Sequence, residues 1–144
     1  MDKFADILKD LVLETGLSVN QIAKKSGVSA TQYGKYLKGS FPNISVALRI
    51  SKFFDCSLDY LFGLVEEKKK NKYDSYDLGL FVDRYTKLLE ENKISNWKFA
   101  QNFGFSESSL RRWKKFDYPN LETLIIIAKE LSSSIDYLVG GKNL

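Results

Sequence analysis

Histidine is absent from the 144 residues of the chain, and cysteine occurs once, at Cys56. The missing imidazole removes the most common general base, the most common zinc ligand and the side chain that changes charge near neutral pH. A single cysteine cannot form an internal disulfide and is compatible with a reducing cytosol. No nucleophile–base spacing, metal-ligand cluster or glycine-rich phosphate loop takes their place, so we expect no enzyme, no metal and no cofactor.

Long apolar runs and proline are also scarce. No run approaches the roughly 18 apolar residues of a membrane span. The opening sequence MDKFADILKD is acidic, whereas an export signal begins with basic residues. We therefore expect a cytoplasmic protein. Proline occurs only at Pro42 and Pro119, where it breaks the chain between predicted helices.

The overall charge is only mildly basic, with a formal net charge of +4. Residues 1–65 carry 8 basic and 6 acidic groups, residues 66–72 carry 4 and 2, and residues 73–144 carry 10 of each. This balance does not require a polyanionic partner. The local clustering of charge must therefore decide whether there is one.

An internal repeat organises the sequence. A shift of 77 residues aligns Leu17–Gly63 with Ile94–Gly140 without a gap, and 14 of the 47 positions are identical. The shared residues are mostly glycines, helix caps and core positions, which indicates one architecture with a diverged surface. The repeat predicts a first domain at 1–65, a charged linker at 66–73 and a second domain at 74–144. The linker sequence EEKKKNK is expected to be a solvated tether or a frayed helix extension, with a phosphate-contacting segment as the alternative.

Periodicity and capping motifs predict ten short helices and no sheet. Apolar residues at positions i, i+3, i+4 and i+7 predict a first helix over Asp2–Glu14 and its counterpart over Tyr76–Asn92. The sequence has capping boxes at Ser18 and Ser29. The other predicted helix starts are at Asn43, Ser57, Ser95, Ser106, Asn120 and Ser134.

The middle of each copy has the spacing of two helices that cross at a tight turn. Ala23 is small where the helices approach most closely, and Gly27 and Gly104 can adopt the positive φ of a short turn. Tyr36 and, in the second copy, Trp113 are predicted to anchor the next helix by one side, which leaves its other side outside. This is the helix-turn-helix arrangement, whose second helix can enter a DNA major groove.

The first copy reads Ile22-Ala23-x3-Gly27-Val28-Ser29-x3-Tyr33-x2-Tyr36, followed by Pro42-Asn43-x6-Ile50-x6-Ser57-x-Asp59-Tyr60-Leu61. At these residues the chain resembles the Cro and phage-repressor family of helix-turn-helix domains, the xenobiotic-response-element type. The second copy resembles the family in the same way. The resemblance implies an all-α fold with two five-helix lambda-repressor-like DNA-binding domains in tandem, and a double-stranded DNA operator as partner.

In that family, the start and the exposed face of the third helix contact base edges, and the start of the second helix and the loop after the third hold phosphates. The resemblance therefore implies DNA-binding residues Thr31, Gln32, Lys35 and Lys38 in the first copy, and Ser108, Ser109, Arg111, Arg112 and Lys115 in the second. We expect Lys35 or Arg112 to donate to guanine and Gln32 to pair with adenine. Lys38 and Lys115 are placed to contact phosphates.

The family often has glutamine at the first residue of the second helix and again at the first residue of the third. Here these positions hold Val19 and Ala30 in the first copy, and Asn96 and Glu107 in the second. Ala30 has no side-chain hydrogen bond to offer, and Glu107 repels phosphate unless it accepts from a cytosine amine. The two copies therefore cannot recognise the same bases. Either the operator is asymmetric, or one copy serves assembly.

The favoured function is a sequence-specific transcriptional regulator, a repressor that excludes polymerase by occupying a promoter. The 13 residue steps from Gly63 to Tyr76 extend to about 43–47 Å, which spans two half-sites about 34–36 Å apart. The alternative is a protein-interaction module with a helix-turn-helix fold, such as an antitoxin or an inhibitor. Trp97, which is predicted to be exposed, is the candidate contact for a protein partner, and a homodimer is also left open.

Overall fold

The structure is a computed structural model of the chain, and it describes residues 2–106, 108–115 and 118–143. The chain divides into two compact units, Met1–Lys72 and Tyr73–Leu144, which we call the first and the second unit. The described residues form ten α-helices, one short 3-10 helix and one pair of two-residue strands. The predicted all-α class is therefore confirmed.

Five α-helices form the first unit. They are α1 (Asp2–Thr15), α2 (Val19–Ser26), α3 (Ala30–Leu37), α4 (Ile44–Phe54) and α5 (Leu58–Leu61). The side chains of Ser18, Ser29, Asn43 and Ser57 each accept a hydrogen bond from a backbone N–H in the first turn of the helix that follows. Such caps satisfy amide groups that have no partner inside the helix. All four predicted starts in this unit are confirmed.

The core of the first unit holds α3 by one side. Phe4 of α1 is buried and stacks on Phe62, with ring centroids 4.9 Å apart. Its ring also meets Phe41 edge-on at 5.5 Å. From α3, Tyr33 and Tyr36 reach the same core and are almost completely buried. Because these two residues fix the rotation of α3, they also determine which side of the helix stays outside.

The charged segment 66–72, expected to be a solvated tether or a frayed helix extension, is largely exposed but contacts the first unit. The backbone N–H of Ser57 donates to the carbonyl oxygen of Lys69 at 3.2 Å. Lys68 pairs with Glu14 at 3.3 Å, although both side chains are about half exposed. These contacts, at 12 and 54 residues of sequence separation, cannot be detected from composition.

Five α-helices also form the second unit. They are α6 (Phe81–Glu91), α7 (Asn96–Phe103), α8 (Ser109–Lys114), α9 (Leu121–Glu130) and α10 (Ile135–Leu138). α7, α9 and α10 begin at the positions that the sequence repeat assigns to α2, α4 and α5. Their predicted caps, Ser95, Asn120 and Ser134, each accept a first-turn N–H, so these three starts are confirmed.

The start of the second unit corrects two predictions. The helix expected over Tyr76–Asn92 begins only at Phe81, after a 3-10 helix at Leu78–Leu80. The expected absence of a sheet is wrong, because β1 (Ser75–Tyr76) pairs antiparallel with β2 (Gly141–Lys142). Asp77 ends the strand and accepts from the N–H of Gly79 at 2.9 Å, which starts the 3-10 turn.

Side-chain contacts connect the N-terminal part of the second unit to its C-terminal part. Arg84 donates from Nη1 to the carbonyl oxygens of Tyr137 at 2.6 Å and of Gly141 at 2.8 Å. Its guanidinium also lies 4.4 Å from the centre of the Tyr137 ring. Tyr76 donates its hydroxyl to the buried Asp136 at 3.0 Å. The sequence repeat does not extend to these contacts, which is why they were not predicted.

The predicted helix start at Ser106 also needs correction, because α8 begins at Ser109. Ser106 Oγ accepts from the N–H of Ser108 at 3.2 Å, and the two hydroxyl oxygens lie 2.6 Å apart. In the first unit, Ser29 and Gln32 form a full capping box. The position equivalent to Gln32 is Ser109, whose side chain is too short to reach back to the cap. α8 is therefore shorter than α3.

The left-handed glycines of the two turns give a prediction about stability. Gly27 and Gly104 both have φ of +76°, and Gly34 in α3 has no positive φ and open space around its missing Cβ. Alanine at Gly27 or Gly104 should destabilise its own unit by about 1–2 kcal/mol. Gly34→Ala, the matched control, should stabilise the first unit by about 0.5–1 kcal/mol.

Urea denaturation of the full chain can separate the two units. Both tryptophans, Trp97 and Trp113, lie in the second unit. Tryptophan emission therefore reports only that unit, whereas far-UV circular dichroism reports both. Gly104→Ala should shift the emission transition, and Gly27→Ala should shift only the dichroism. An emission shift caused by Gly27→Ala would contradict the independence of the two turns.

Tyr85 gives a prediction about alkaline pH. Burial raises the pKa of this hydroxyl, which donates to Asn96 Oδ1 at 2.8 Å. A raised pKa in the folded state means that the contribution to stability is complete below the unfolded value of about 10 and is lost as pH rises further. Tyr85→Phe should lower the stability of the second unit by about 1 kcal/mol at pH 7, because it removes the hydrogen bond. Between pH 9 and 11, however, the variant should lose less stability than the wild type does.

Denaturation midpoints measured by tryptophan emission across this pH range test the point. Tyr33→Phe is the control, because Tyr33 lies in the first unit and its change should leave the emission midpoint alone. Equal alkaline losses in the wild type and in Tyr85→Phe would show that other groups control the transition.

Candidate nucleic-acid interface

The turn between α2 and α3 is held by side chains from both helices and from α4. Gly27 ends α2 in the left-handed conformation that this turn requires. Ser26 Oγ and the Tyr33 hydroxyl are hydrogen-bonded at 2.7 Å, which joins the end of α2 to α3. Arg49 Nη1 donates to the Gly27 carbonyl oxygen at 3.4 Å. Burial raises the pKa of Tyr33, and the bond to Ser26 offsets part of that rise, so the hydroxyl stays protonated at neutral pH.

The outer side of α3 and the residue that follows it form the recognition face of the first unit. Thr31, Lys35 and Lys38 are exposed there, as the sequence predicted. Gly34 lies among them without a side chain, so the helix backbone is open to close approach. The face therefore offers a hydroxyl, a methyl group and two exposed cations.

Gln32 is placed differently from the prediction that it pairs with adenine. It is half-buried, and its Oε1 accepts from the N–H of Ser29 at 3.1 Å and from the hydroxyl of Ser29 at 3.1 Å. A hydrogen bond with Gln32 also counters the rise in the pKa of Tyr36 that burial causes. A bidentate contact with adenine needs the oxygen and the nitrogen of the amide together. Gln32 would have to leave its cap to make one.

The sequence around this face carries charge of one sign. Between Glu14 and Asp55 there is no acidic residue, whereas six basic residues occur there. They are Lys24, Lys25, Lys35, Lys38, Arg49 and Lys52, and all six are exposed. α2, α3 and α4 consequently form a cationic surface that the overall net charge of +4 conceals.

The second unit also has a glycine turn between two short helices, built from other residues. Gly104 ends α7 in the left-handed conformation, and Trp113 anchors α8 through edge contacts with Phe81 at 5.3 Å and Tyr85 at 5.5 Å. The hydrogen bond from Tyr85 to Asn96 ties α6 to the first residue of α7. The predicted burial of Trp113 is confirmed.

Exposed arginines and lysines lie on both sides of α8. Arg111 and Lys114 line an open depression of about 400 Å³ beside the start of α7, together with Asn96, Ser108 and Leu110. Arg112 lines a second depression of about 400 Å³ on the opposite side, toward the start of α9. Ser108 and Lys115 are exposed as predicted. The exposed residues of α8, with Ser108 before it and Lys115 after it, are what we call the recognition face of the second unit. This face presents cations on both sides of the helix.

Ser109 corrects the predicted face, because it is buried. Its Oγ accepts a hydrogen bond from Arg112 Nη2 at 3.0 Å. Since the residue faces the interior of the unit, it has no direct path to a base edge. Glu107, which was expected at the start of this face, lies outside the described residues.

The cations of the two faces have no carboxylate partners within the part of the chain that the structure describes. The ion pairs of Lys68 with Glu14 and of Lys142 with Asp77 lie outside both recognition faces. A cation without a carboxylate partner can neutralise a phosphate and release counterions.

Sequence reasoning missed the residues that hold these faces in place. Ser26, Arg49 and Tyr85 act through partners on other helices, and neither spacing nor residue type revealed those pairs. Asn96 lines the depression beside Arg111. The available signal was its place at the first residue of α7, a position for which the resemblance implies phosphate contacts.

The described residues hold neither a metal-binding cluster nor a membrane span. No group of three or more cysteine and acidic side chains among them lies close enough to hold a metal ion. None of the helices traced there has both the length and the apolar character needed to cross a membrane. Trp97 is 52% exposed, as predicted.

A glycine turn between two short helices, the second of which is exposed and cationic on its outer side, defines a helix-turn-helix unit. Residues 8–61, all within the first unit, match the family model described as Helix-turn-helix. This match indicates a DNA-binding transcriptional regulator. Comparisons with curated proteins and with solved structures returned no match.

The capping role of Gln32 gives a prediction that separates structure from recognition. Gln32→Ala should destabilise the first unit by about 0.5–1 kcal/mol, because it removes one half of the capping box. Gln32→Glu can still accept from Ser29 and should lose less stability. Urea titrations followed by circular dichroism measure these changes in stability. Tryptophan emission, which reports the second unit, should show no shift. Equal stability of the wild type and Gln32→Ala would contradict the capping role.

Proposed function

We propose that this protein is a transcriptional repressor that binds double-stranded DNA through the recognition faces of both units. The observation that carries the proposal is the pair of exposed cationic faces on α3 and α8, which find no carboxylate partner among the described residues. The helix-turn-helix match supports it for the first unit. For the second unit, the support is the shared sequence repeat and the corresponding set of helices.

In the first unit, α3 enters the major groove with Thr31 and Lys35 toward the bases. The methyl group of Thr31 contacts a thymine methyl, and Lys35 donates to guanine O6 or N7. Lys38, past the end of the helix, contacts a phosphate. The surrounding lysines of α2 add attraction that does not depend on sequence, so affinity should fall steeply with salt.

In the second unit, the two edges of α8 meet opposite walls of the groove. Arg111 and Lys114 lie on the side of the α7 start and bind phosphates of one strand, with Asn96 beside them. Arg112 lies on the other side and donates to a base edge. Because these side chains differ from those at the equivalent positions in α3, the operator is asymmetric.

Repression follows from occupancy, since a bound protein excludes polymerase from a promoter. This mechanism needs no catalytic step, no metal and no cofactor, and it requires the protein to be in the cytoplasm with the DNA. A short covalent connection keeps the second unit at a high local concentration once the first has bound, which raises avidity without new contacts.

One observation favours a second candidate function. Trp97 exposes about half of its side chain on α7, and exposed tryptophan is enriched at protein contacts. The chain would then be a helix-turn-helix module that binds another protein, or a second copy of itself, with weak or no affinity for DNA. Binding to a protein that is insensitive to salt and to the recognition-face substitutions below would favour this function.

A binding titration of the full chain against the DNA upstream of its own gene, at several salt concentrations, tests the proposal. Lys35→Ala with Lys38→Ala removes the first face, and Arg111→Ala with Arg112→Ala removes the second. Removal of one side chain that binds a base should cost about 1–3 kcal/mol, and removal of one that binds a phosphate should lower the salt slope by about 1.

The matched controls remove the same charge elsewhere in each unit. Lys3→Ala with Lys9→Ala changes exposed residues of α1, and Lys87→Ala with Lys129→Ala changes exposed residues of the second unit. These variants should lose little affinity. If only one recognition-face pair matters, the other unit does not contact DNA. If control and face variants lose affinity equally, binding is nonspecific and the repressor function is wrong.

A further inference from the structure

The hydrogen bond between Arg112 and Ser109 distinguishes the second recognition face from the first. Arg112 is exposed, but its Nη2 is tied at 3.0 Å to the buried hydroxyl of Ser109, one turn earlier in α8. A guanidinium has five N–H donors in a fixed fork. One bond to Ser109 therefore leaves enough donors for a bidentate contact outward.

This hydrogen bond orders the Arg112 side chain before DNA is bound, so less rotamer freedom is left to lose on binding. Long side chains carry a large conformational entropy, and a group that is already ordered in the free protein loses less of it when it binds. Because Ser109 is buried in the unit, it provides a fixed point that an exposed residue would not. Its hydroxyl can also accept the bond without leaving a capping box.

The first unit lacks this arrangement. Lys35 occupies the position equivalent to Arg112, and Gln32 occupies that of Ser109 but accepts from Ser29. A lysine ammonium is a flexible point charge, whereas the arginine fork matches the O6 and N7 pair of guanine. The two faces should therefore differ in how strongly they select a base.

We propose that Ser109 is a positioning residue that orients Arg112 for bidentate contact with a guanine, so that the second unit selects guanine more strongly than the first unit does. The proposal rests on the proposed DNA-binding function. It gives Ser109 a role different from the direct base contact that the sequence predicted, because the residue acts through Arg112 and touches no base itself.

Selection from a pool of duplex DNA with a randomised centre, using the full chain, identifies the preferred sequence. Footprints of Arg112→Ala then assign the half-site of the second unit. The enriched duplex is compared with one in which the guanine carries carbon at position 7 (7-deazaguanine), which removes only the N7 acceptor. For the wild type, this change should reduce affinity by about tenfold.

Four variants test the positioning role. Ser109→Ala should reduce the preference for guanine over 7-deazaguanine to about threefold, while the salt slope stays unchanged because no charge is lost. Arg112→Lys should reduce the preference similarly. The double variant should be no worse than Arg112→Lys alone, since Ser109 acts through Arg112. Lys87→Ala, the control at an exposed cation of α6 away from the recognition face, should keep the preference.

The fold of each variant is checked by the thermal transition of tryptophan emission, which reports the second unit. An unchanged guanine preference in Ser109→Ala, or additive losses in the double variant, would overturn the positioning role and leave DNA binding intact. A selected site without guanine in the second half would do the same. No salt-dependent binding of any duplex by the wild type would instead overturn the proposed function itself.

Discussion

Both recognition faces depend on the burial of aromatic side chains on the opposite side of the same short helix. In the first unit, Tyr33 and Tyr36 enter the core, and the hydroxyl of Tyr33 bonds to Ser26 at 2.7 Å. A helix of eight residues has little stability alone. Its position therefore comes from these contacts, and the rotation that buries the tyrosines is the same rotation that turns Thr31 and Lys35 outward.

The second unit meets the same constraint with different residues. The equivalents of Tyr33 and Tyr36 are Leu110 and Trp113, and the larger indole makes edge contacts with Phe81 and Tyr85. Because a core tolerates new side chains when total volume and pattern are kept, the two interiors can diverge while α3 and α8 keep their places. The outer faces are free of this constraint, so their chemistry can change without loss of the fold.

The features that were predictable from the sequence are local. A cap such as Ser18 or Asn43 bonds to the residue three positions ahead, and a glycine turn depends on one φ angle. A few neighbouring residues therefore determine both features. The sheet and the late start of α6 depend instead on contacts such as that between Arg84 and Tyr137, which are 53 residues apart. The packing of the lysine-rich segment on the first unit has the same kind of origin.

Gln32 and Ser109, both expected to contact bases, each have a partner within their own unit. Gln32 accepts from Ser29, and the buried Ser109 accepts from Arg112. Both stand at the third position of their helix as the repeat aligns it. Such a side chain always has an intramolecular partner within reach, whereas DNA is absent until binding, so the folded chain engages the residue first. Thr31 and Lys35 lie on the outer side, where no such competition exists. Outward-facing positions of such a helix can therefore be assigned to DNA directly. A polar residue at the third position should be assigned to DNA only when no group within its own unit takes it as a hydrogen-bond partner.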